Sequence, residues 1–392
     1  VNFSKVEVTS RGASQIKAGS LWIFANEFVT KLKELKSGEW VNFEKRGEFV
    51  GFGYVNPHSL IAGRICSREP VTERKELIQK LIKESLIKRS SLKDYGSFRG
   101  VFSESDSLPG LIVDIYGANV VAQFNTLGMD DAKDDVIASL ENLISPEGLV
   151  LKADSSVRQL EGAKSYVEVV IGDKDKLKKG QVREDDVLFA ADFVDGQKTG
   201  FFLDQRENRR HLKKMANEKT VLDLCSYSGG WGLTALKGGA KSVTFIDQSE
   251  EALKLAKLGL ELNSFDSAKA KFICSDIFDY LVASKERYDI VICDPPAFVK
   301  SKKNLPQAVK AYKKLNNLAL RRVNEGGLMY SCSCSFHFSE IEFEETLKTV
   351  AQESGILVQI VYRGGQGLDH PWILNRPESR YLKCYCLQVL SR

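Results

Sequence analysis

The C-terminal half of the chain alternates short apolar runs with stretches of helical periodicity. The runs fall at 220–225, 242–247, 270–274, 288–293, 327–333, 356–362 and 382–390. Apolar runs of that length, separated mostly by helical stretches, predict a doubly wound sheet covered on both faces. The last run follows the Pro-containing segment His370–Pro377. It reads as an antiparallel strand, either at an edge of the sheet or inserted into it.

The N-terminal half is patterned differently. Residues 1 to about 68 hold short strand-like runs broken by Gly, Asn and Pro, such as Glu39–Glu44 and Phe49–Val55. Alternation with turn residues predicts a small β barrel or sheet. Lys5, Arg11, Lys17, Lys45, Arg46, Arg64 and Arg68 are scattered through it. Over 73–93, Leu77, Ile78, Leu81, Ile82 and Leu86 share one helical face, with charges on the other. Strands are expected at 111–115, 119–125, 149–153 and 166–171, and a helix at about 129–143. Asp173–Asp186, rich in Lys, Asp and Glu, reads as an exposed loop or hairpin. These patterns divide the chain into a small β domain (1–70), a mixed central α/β domain (71–190) and a Rossmann-like α/β domain (191–392).

Composition adds bounds. A chain of 392 residues is too long for one ordinary domain. With 43% hydrophobic and 28% charged residues it has the balance of a globular protein. The formal net charge of +4 is compatible with nucleic-acid binding without arguing for it. No run reaches the roughly 18 to 20 apolar residues that span a bilayer, and the N-terminal residues do not resemble a secretory signal. Eight cysteines, most of them inside apolar runs, suit a reducing cytoplasm. With no CxxC pair and only four His, no metal site is expected.

The candidate chemistry sits at the ends of the predicted parallel strands. Thr220–Gly232 is a buried strand running into a glycine-rich turn and a helix. Gly229, Gly230 and Gly232 allow close backbone approach to a ligand, and Asp223 lies near the crevice end of the strand. The next two strands end at Asp247-Gln248 and Ser275-Asp276. Carboxylates there can accept from ribose hydroxyls and from an adenine amino group. A dinucleotide turn would instead carry G-x-G-x-x-G, and Asp223 would repel a pyrophosphate. It suits the ammonium and sulfonium of S-adenosylmethionine (SAM). The expected SAM-facing residues are Asp223, Ser226, Tyr227, Gly229, Asp247, Gln248, Asp276, Ile277 and Asp294.

The fourth strand ends in Asp294-Pro295-Pro296-Ala-Phe298. The two prolines offer no N–H donors, and Phe298 can stack on a flat ring. This pattern points to a flat nitrogenous substrate without choosing the atom. The fifth strand ends Ser331-Cys332-Ser333-Cys334-Ser335. A thiolate there can add to carbon 6 of a pyrimidine, making carbon 5 nucleophilic toward a sulfonium methyl. Loss of the carbon 5 proton then expels the thiol. An ordinary thiol, with a pKa near 8.5, is a few per cent thiolate at neutral pH, so a nearby cation or helix N-terminus would help. A helix is expected to begin around Ser339. A regular strand would put Cys332 and Cys334 on one face.

Taken together, these residues resemble the bacterial PUA-domain-containing 23S rRNA cytosine-C5 methyltransferases. Glu104–Asp114, Gly196–Arg206, Asp294–Phe298 and the Ser-Cys-Ser motif carry the resemblance, which looks whole-chain. It implies SAM as donor, a flipped cytosine as acceptor, an RNA-binding N-terminal domain and a catalytic Cys. Cys334 is favoured by its spacing from Gly326-Gly327, with Cys332 the fallback and Asp294 as partner. Within Gly196–Arg206, Lys198, Gln205 and Arg206 are expected to contact the SAM carboxylate or RNA phosphates. The alternatives are methylation of another atom or RNA, such as a guanine nitrogen or tRNA, and RNA binding without catalysis. A homodimer is compatible with the sequence, which carries no signal for oligomeric state.

Overall fold

The computed structural model describes residues 2–298, 302–375 and 379–391. Pro377 of the His370–Pro377 segment lies outside them. The chain forms two compact units, one of Val1–Gly180 with Asp192–Phe201 and one of Gln181–Ala191 with Phe202–Arg392.

Among the described residues, the first unit holds two five-stranded sheets. In one, Ser4–Glu7, Trp40–Lys45, Glu48–Val55, Ile61–Ser67 and Trp22–Phe24 lie side by side in that order. The other orders Tyr166–Ile171, Gly148–Ala153, Asn119–Phe124, Leu111–Tyr116 and Ser97–Phe102. The expected helix over 73–93 forms as Arg74–Lys88, burying Ile78 and Ile82, and a 3-10 segment Ser90–Tyr95 follows it. The helix expected at 129–143 is broken at Ala132 into Leu127–Asp131 and Lys133–Ile144. Close backbone approach explains Gly128, where a Cβ would lie 2.1 Å from the Tyr54 ring.

The acids of the Glu104–Asp114 segment serve this unit internally. Asp106 pairs with Arg89 at 2.7 Å and Asp114 with Arg99 at 2.8 Å, all of them buried. Glu104 accepts from the Trp22 indole at 3.0 Å. Asp114 also accepts from Thr199 Oγ1 at 2.5 Å, tying the Asp192–Phe201 segment to the central sheet.

Asp173–Asp186 is partly ordered into regular elements. Asp173 caps a single helical turn, Lys174–Leu177. The strand Gly180–Glu184 then pairs with Val187–Ala191.

The second unit is built on a seven-stranded sheet: β1 (Thr220–Leu224), β2 (Ser242–Asp247), β3 (Ala270–Cys274), β4 (Tyr288–Cys293), β5 (Val323–Ser333), β6 (Leu357–Gly364) and β7 (Lys383–Ser391). Their order is β3-β2-β1-β4-β5-β7-β6. The first five are parallel. β7 is antiparallel to both β5 and β6, so the last run is an inserted strand and β6 takes the edge.

The helices of this unit are α1 (Arg206–Met215), α2 (Gly230–Lys237), α3 (Glu250–Leu262), α4 (Ile277–Ala283), α5 (Leu305–Leu320) and α6 (Glu340–Ser354). Local chemistry starts three of them. Ser249 caps α3, Asp276 caps α4, and Ser339 with Glu342 makes a capping box on α6. The core on one face of the sheet joins Leu222, Val291 and Met329 to Leu281, Tyr312, Leu315, Phe343 and Leu347. Parallel strands with helices on both sides bring all five crossover turns to one edge.

Candidate functional site

The turn from β1 to α2 holds three residues with positive φ at alternate positions. Cys225 (φ 60) and Tyr227 (φ 46) are non-glycine residues in the left-handed region, and Gly229 follows at φ 81. Such backbone is costly for a non-glycine residue and persists where surroundings impose it, often at functional sites. Gly232 is required by packing, since a Cβ there would lie 2.1 Å from the Phe245 ring.

Asp223, fully buried, accepts from Gly232 N at 2.9 Å through Oδ2. Among the described residues its Oδ1 has no hydrogen-bond partner, and neither do the buried hydroxyls of Ser226 and Ser228. Burial pushes the Asp223 carboxyl well above the usual carboxylate range. Three unpartnered acceptors, one at the end of β1 and two on the strained turn after it, are an arrangement that a cationic ligand would complete.

Asp247 accepts from Tyr227 N and Ser249 N, both at 2.9 Å. It thereby clamps the β2 end to the glycine turn. Asp276 Oδ1 takes the N–H groups of Phe278 and Asp279, at 2.8 and 3.2 Å, as the cap of α4. Gln248 is exposed at the surface, and Ile277 is buried in the core.

Asp294 follows the end of β4 and is held from two sides. Gln205 Nε2 donates to Oδ1 at 3.0 Å, and the Trp231 indole donates to Oδ2 at 2.9 Å. Gln205 is oriented in turn: its Oε1 accepts from Asn208 Nδ2 at 2.6 Å, and Asn208 Oδ1 accepts from the Tyr362 hydroxyl at 3.0 Å. Each donor points toward Asp294, so the amide polarity of Gln205 is set by the chain behind it. Burial pushes the Asp294 carboxyl up to about 6, against these two donors. Pro295 is buried and Pro296 exposed, while Phe298 packs on Tyr312 with ring centroids 4.8 Å apart.

The Ser-Cys alternation of β5 sorts into two faces, as a period of two requires. Tyr312 of α5 accepts from Ser333 Oγ at 3.0 Å and shares a 3.0 Å hydrogen bond with Ser335 Oγ. Ser331 Oγ donates to Asn316. The cysteines alternate with these anchored serines. Cys332 is buried opposite Cys384 in the β5–β7 register, and burial pushes its thiol well up. Cys334 lies one residue beyond the strand end and is partly exposed.

Arg206 is buried and ion-paired with Asp369 at 3.3 Å and Glu184 at 3.7 Å. Lys198 belongs to the other unit and adopts φ 51. Sequence patterning does not single out Trp231, Asn208, Tyr312 or Lys383. Of these, Lys383 carries a visible signal, a lone cation inside the apolar run 382–390. The others look like ordinary helix residues.

Comparison with known proteins agrees with this geometry. Residues 6–68 match the PUA-like domain family and residues 158–357 the S-adenosylmethionine-dependent methyltransferase family. "Ribosomal RNA large subunit methyltransferase I" of Vibrio cholerae is 35% identical over 94% of this chain and 95% of its own length. The protein of the same name from Aliivibrio fischeri is 34% identical, again over 94% and 95%. A crystal structure described as a methyltransferase in complex with SAH shares the fold, with a TM-score of 0.84 at 23% identity over 98% of this chain and 100% of that one. The strained β1–α2 turn, the aligned strand-end acids and the full-length match to these relatives place the chain in the S-adenosylmethionine-dependent methyltransferase family, with the ribosomal RNA large subunit methyltransferases I.

Proposed function

We propose that the protein methylates carbon 5 of a cytosine in ribosomal RNA through a cysteine adduct, with 23S rRNA as the substrate. The observation that carries the reading is the pairing of strand ends: the adjacent parallel strands β4 and β5 terminate in Asp294 and in the Cys332–Cys334 segment. The relatives' name supplies the RNA class.

In this reading SAM, when bound, supplies an electrophilic methyl group. Asp223, Ser226, Tyr227 and Gly229 hold its amino-acid end, Asp247 and Gln248 its ribose, and Asp276 with Ile277 its adenine. Cys334 is the nucleophile because it is the partly exposed thiol, whereas Cys332 is buried against β7. Its thiolate bonds to carbon 6 of the cytosine, and carbon 5 takes the methyl. The carbon 5 proton then leaves to a base and the sulfur–carbon bond breaks. Asp294 holds the N3/N4 edge of the base, with its carboxylate aimed by Gln205 and Trp231. Pro295, Pro296 and Phe298 form the wall against the ring. A flipped cytosine is needed to expose carbon 6.

In this reading residues 1–70 serve as the RNA-holding domain, 71–190 as the central domain and 191–392 as the catalytic domain, with Arg206 near the start of the last and Lys198 on the Asp192–Phe201 segment that packs with the first unit. RNA contact through Lys and Arg weakens with salt. A reduced thiol suits the cytoplasm.

The test is mass spectrometry of nucleosides from rRNA incubated with methyl-labelled SAM. Label is expected in 5-methylcytidine, lost in Cys334→Ala and retained in part by Cys332→Ala. Label in another nucleoside, or full activity without either cysteine, sinks the thiol chemistry.

A further inference from the structure

A nucleophilic thiol needs a source of positive potential, and the helix that follows Cys334 is a poor one. At the N-terminus of α6 the Glu342 carboxylate folds back onto Ser339 N and Oγ, both at 2.7 Å. A negative charge therefore already sits where the dipole would act. The cation lies on the neighbouring strand instead.

Lys383 is the first residue of β7 and pairs with Ser333 in the β5–β7 register. Its side chain is buried, and Nζ donates to Ser335 O and Phe338 O, both at 2.7 Å. Lys383 therefore brackets Cys334, facing the residue before it through the strand pairing and the residue after it through the ammonium. An ammonium has three donors. Two are committed to carbonyls of the turn, which leaves the third for the thiol side.

We propose that Lys383 is a positioning residue for methyl transfer, its buried ammonium fixing the Ser335–Phe338 turn and stabilising the thiolate of Cys334. The proposal rests on Cys334 being the nucleophile. An uncompensated buried ammonium would be expensive, and two carbonyls carry no countercharge, so a thiolate beside it completes the site electrostatically. Besides burial, the charged groups acting on the amine are Cys334, then Glu340 and Glu342 of α6, which favour its charged form, and Arg380, which opposes it. Tyr312 approaches Cys334 from α5, but its hydroxyl is engaged with Ser333 and Ser335. Burial brings the Lys383 amine down to about 8, which leaves it mostly charged at neutral pH.

The experiment is alkylation of the full-length protein with iodoacetamide across pH 6 to 10, quantified cysteine by cysteine by peptide mass spectrometry. Exposed Cys274 serves as an internal reference. Wild-type Cys334 is expected to titrate below the ordinary thiol value of about 8.5. Lys383→Met should raise that midpoint, with Cys274 unchanged. Alkylation of Cys334 at pH 7 should then slow about tenfold for a midpoint one pH higher. Lys383→Arg should restore much of the lower midpoint. A wild-type midpoint at or above 8.5 overturns the proposal without any variant, as does an unchanged profile in a folded Lys383→Met protein. Failure of the carbon 5 reading has its own readout, methylation that survives Cys334→Ala.

Discussion

Asp223→Asn is expected to act in opposite directions on stability and on SAM binding. In the ligand-free protein Asp223 is fully buried; one oxygen accepts from Gly232 N and the other has no partner among the described residues. Burial pushes its carboxyl well up. A group whose folded-state value is raised adds stability below its unfolded value of about 3.9 and loses it as pH rises through the folded value. Wherever the carboxyl ionises in the folded protein, its buried charge is therefore a liability. Asparagine can keep the bond from Gly232 N while removing the charge. An unsatisfied buried polar group costs about 1–3 kcal/mol, and more when charged. The ligand-free variant should gain stability on that order, a rise of several degrees in Tm. With SAM the sign reverses. A hydrogen bond to a charged group contributes about 1.5–3 kcal/mol, so losing the carboxylate should weaken SAM binding roughly ten- to more than a hundredfold. Thermal unfolding with and without SAM, alongside calorimetric titration, reads both effects. A variant that is less stable without ligand and binds SAM as tightly as wild type would refute the assignment, making Asp223 a structural acid.

Three further outcomes are expected. Asp294, held up to about 6 by burial, should make ligand-free stability fall as pH rises from about 4 to about 6, and Asp294→Asn should flatten that part of a denaturation-versus-pH series. Tyr312→Phe removes the hydroxyl that serves buried Ser333 and Ser335; urea unfolding should show a loss of about 1–3 kcal/mol, and kcat should fall more than SAM affinity. Gly232→Ala places a Cβ 2.1 Å from the Phe245 ring, which should cost about 1–3 kcal/mol through overpacking and weaken SAM binding measured by titration.

The strand-end residues were legible in the sequence because a buried parallel sheet needs continuous apolar runs, and whatever polar residue closes such a run must sit at the sheet edge. Asp247, Asp294 and the Ser-Cys alternation follow from that rule, while Asp223 stands out as a lone acid inside its apolar run. The helix caps at Ser249, Asp276 and Ser339 were equally local, since a cap depends on residues two or three positions away. Partnership across the sheet and between distant segments was decided by the tertiary structure. No local pattern links Gln205 to Asp294 or Asn208 to Tyr362, which are brought together by the packing of α1 against the strand ends. The same holds for the two cysteines. They are two residues apart and alike in sequence, and they differ because β7 inserts beside β5, covering Cys332 with Cys384 and delivering Lys383 to the turn beyond Cys334. Side-chain periodicity is a property of one strand, whereas burial and charge at its end depend on which strand lies next to it.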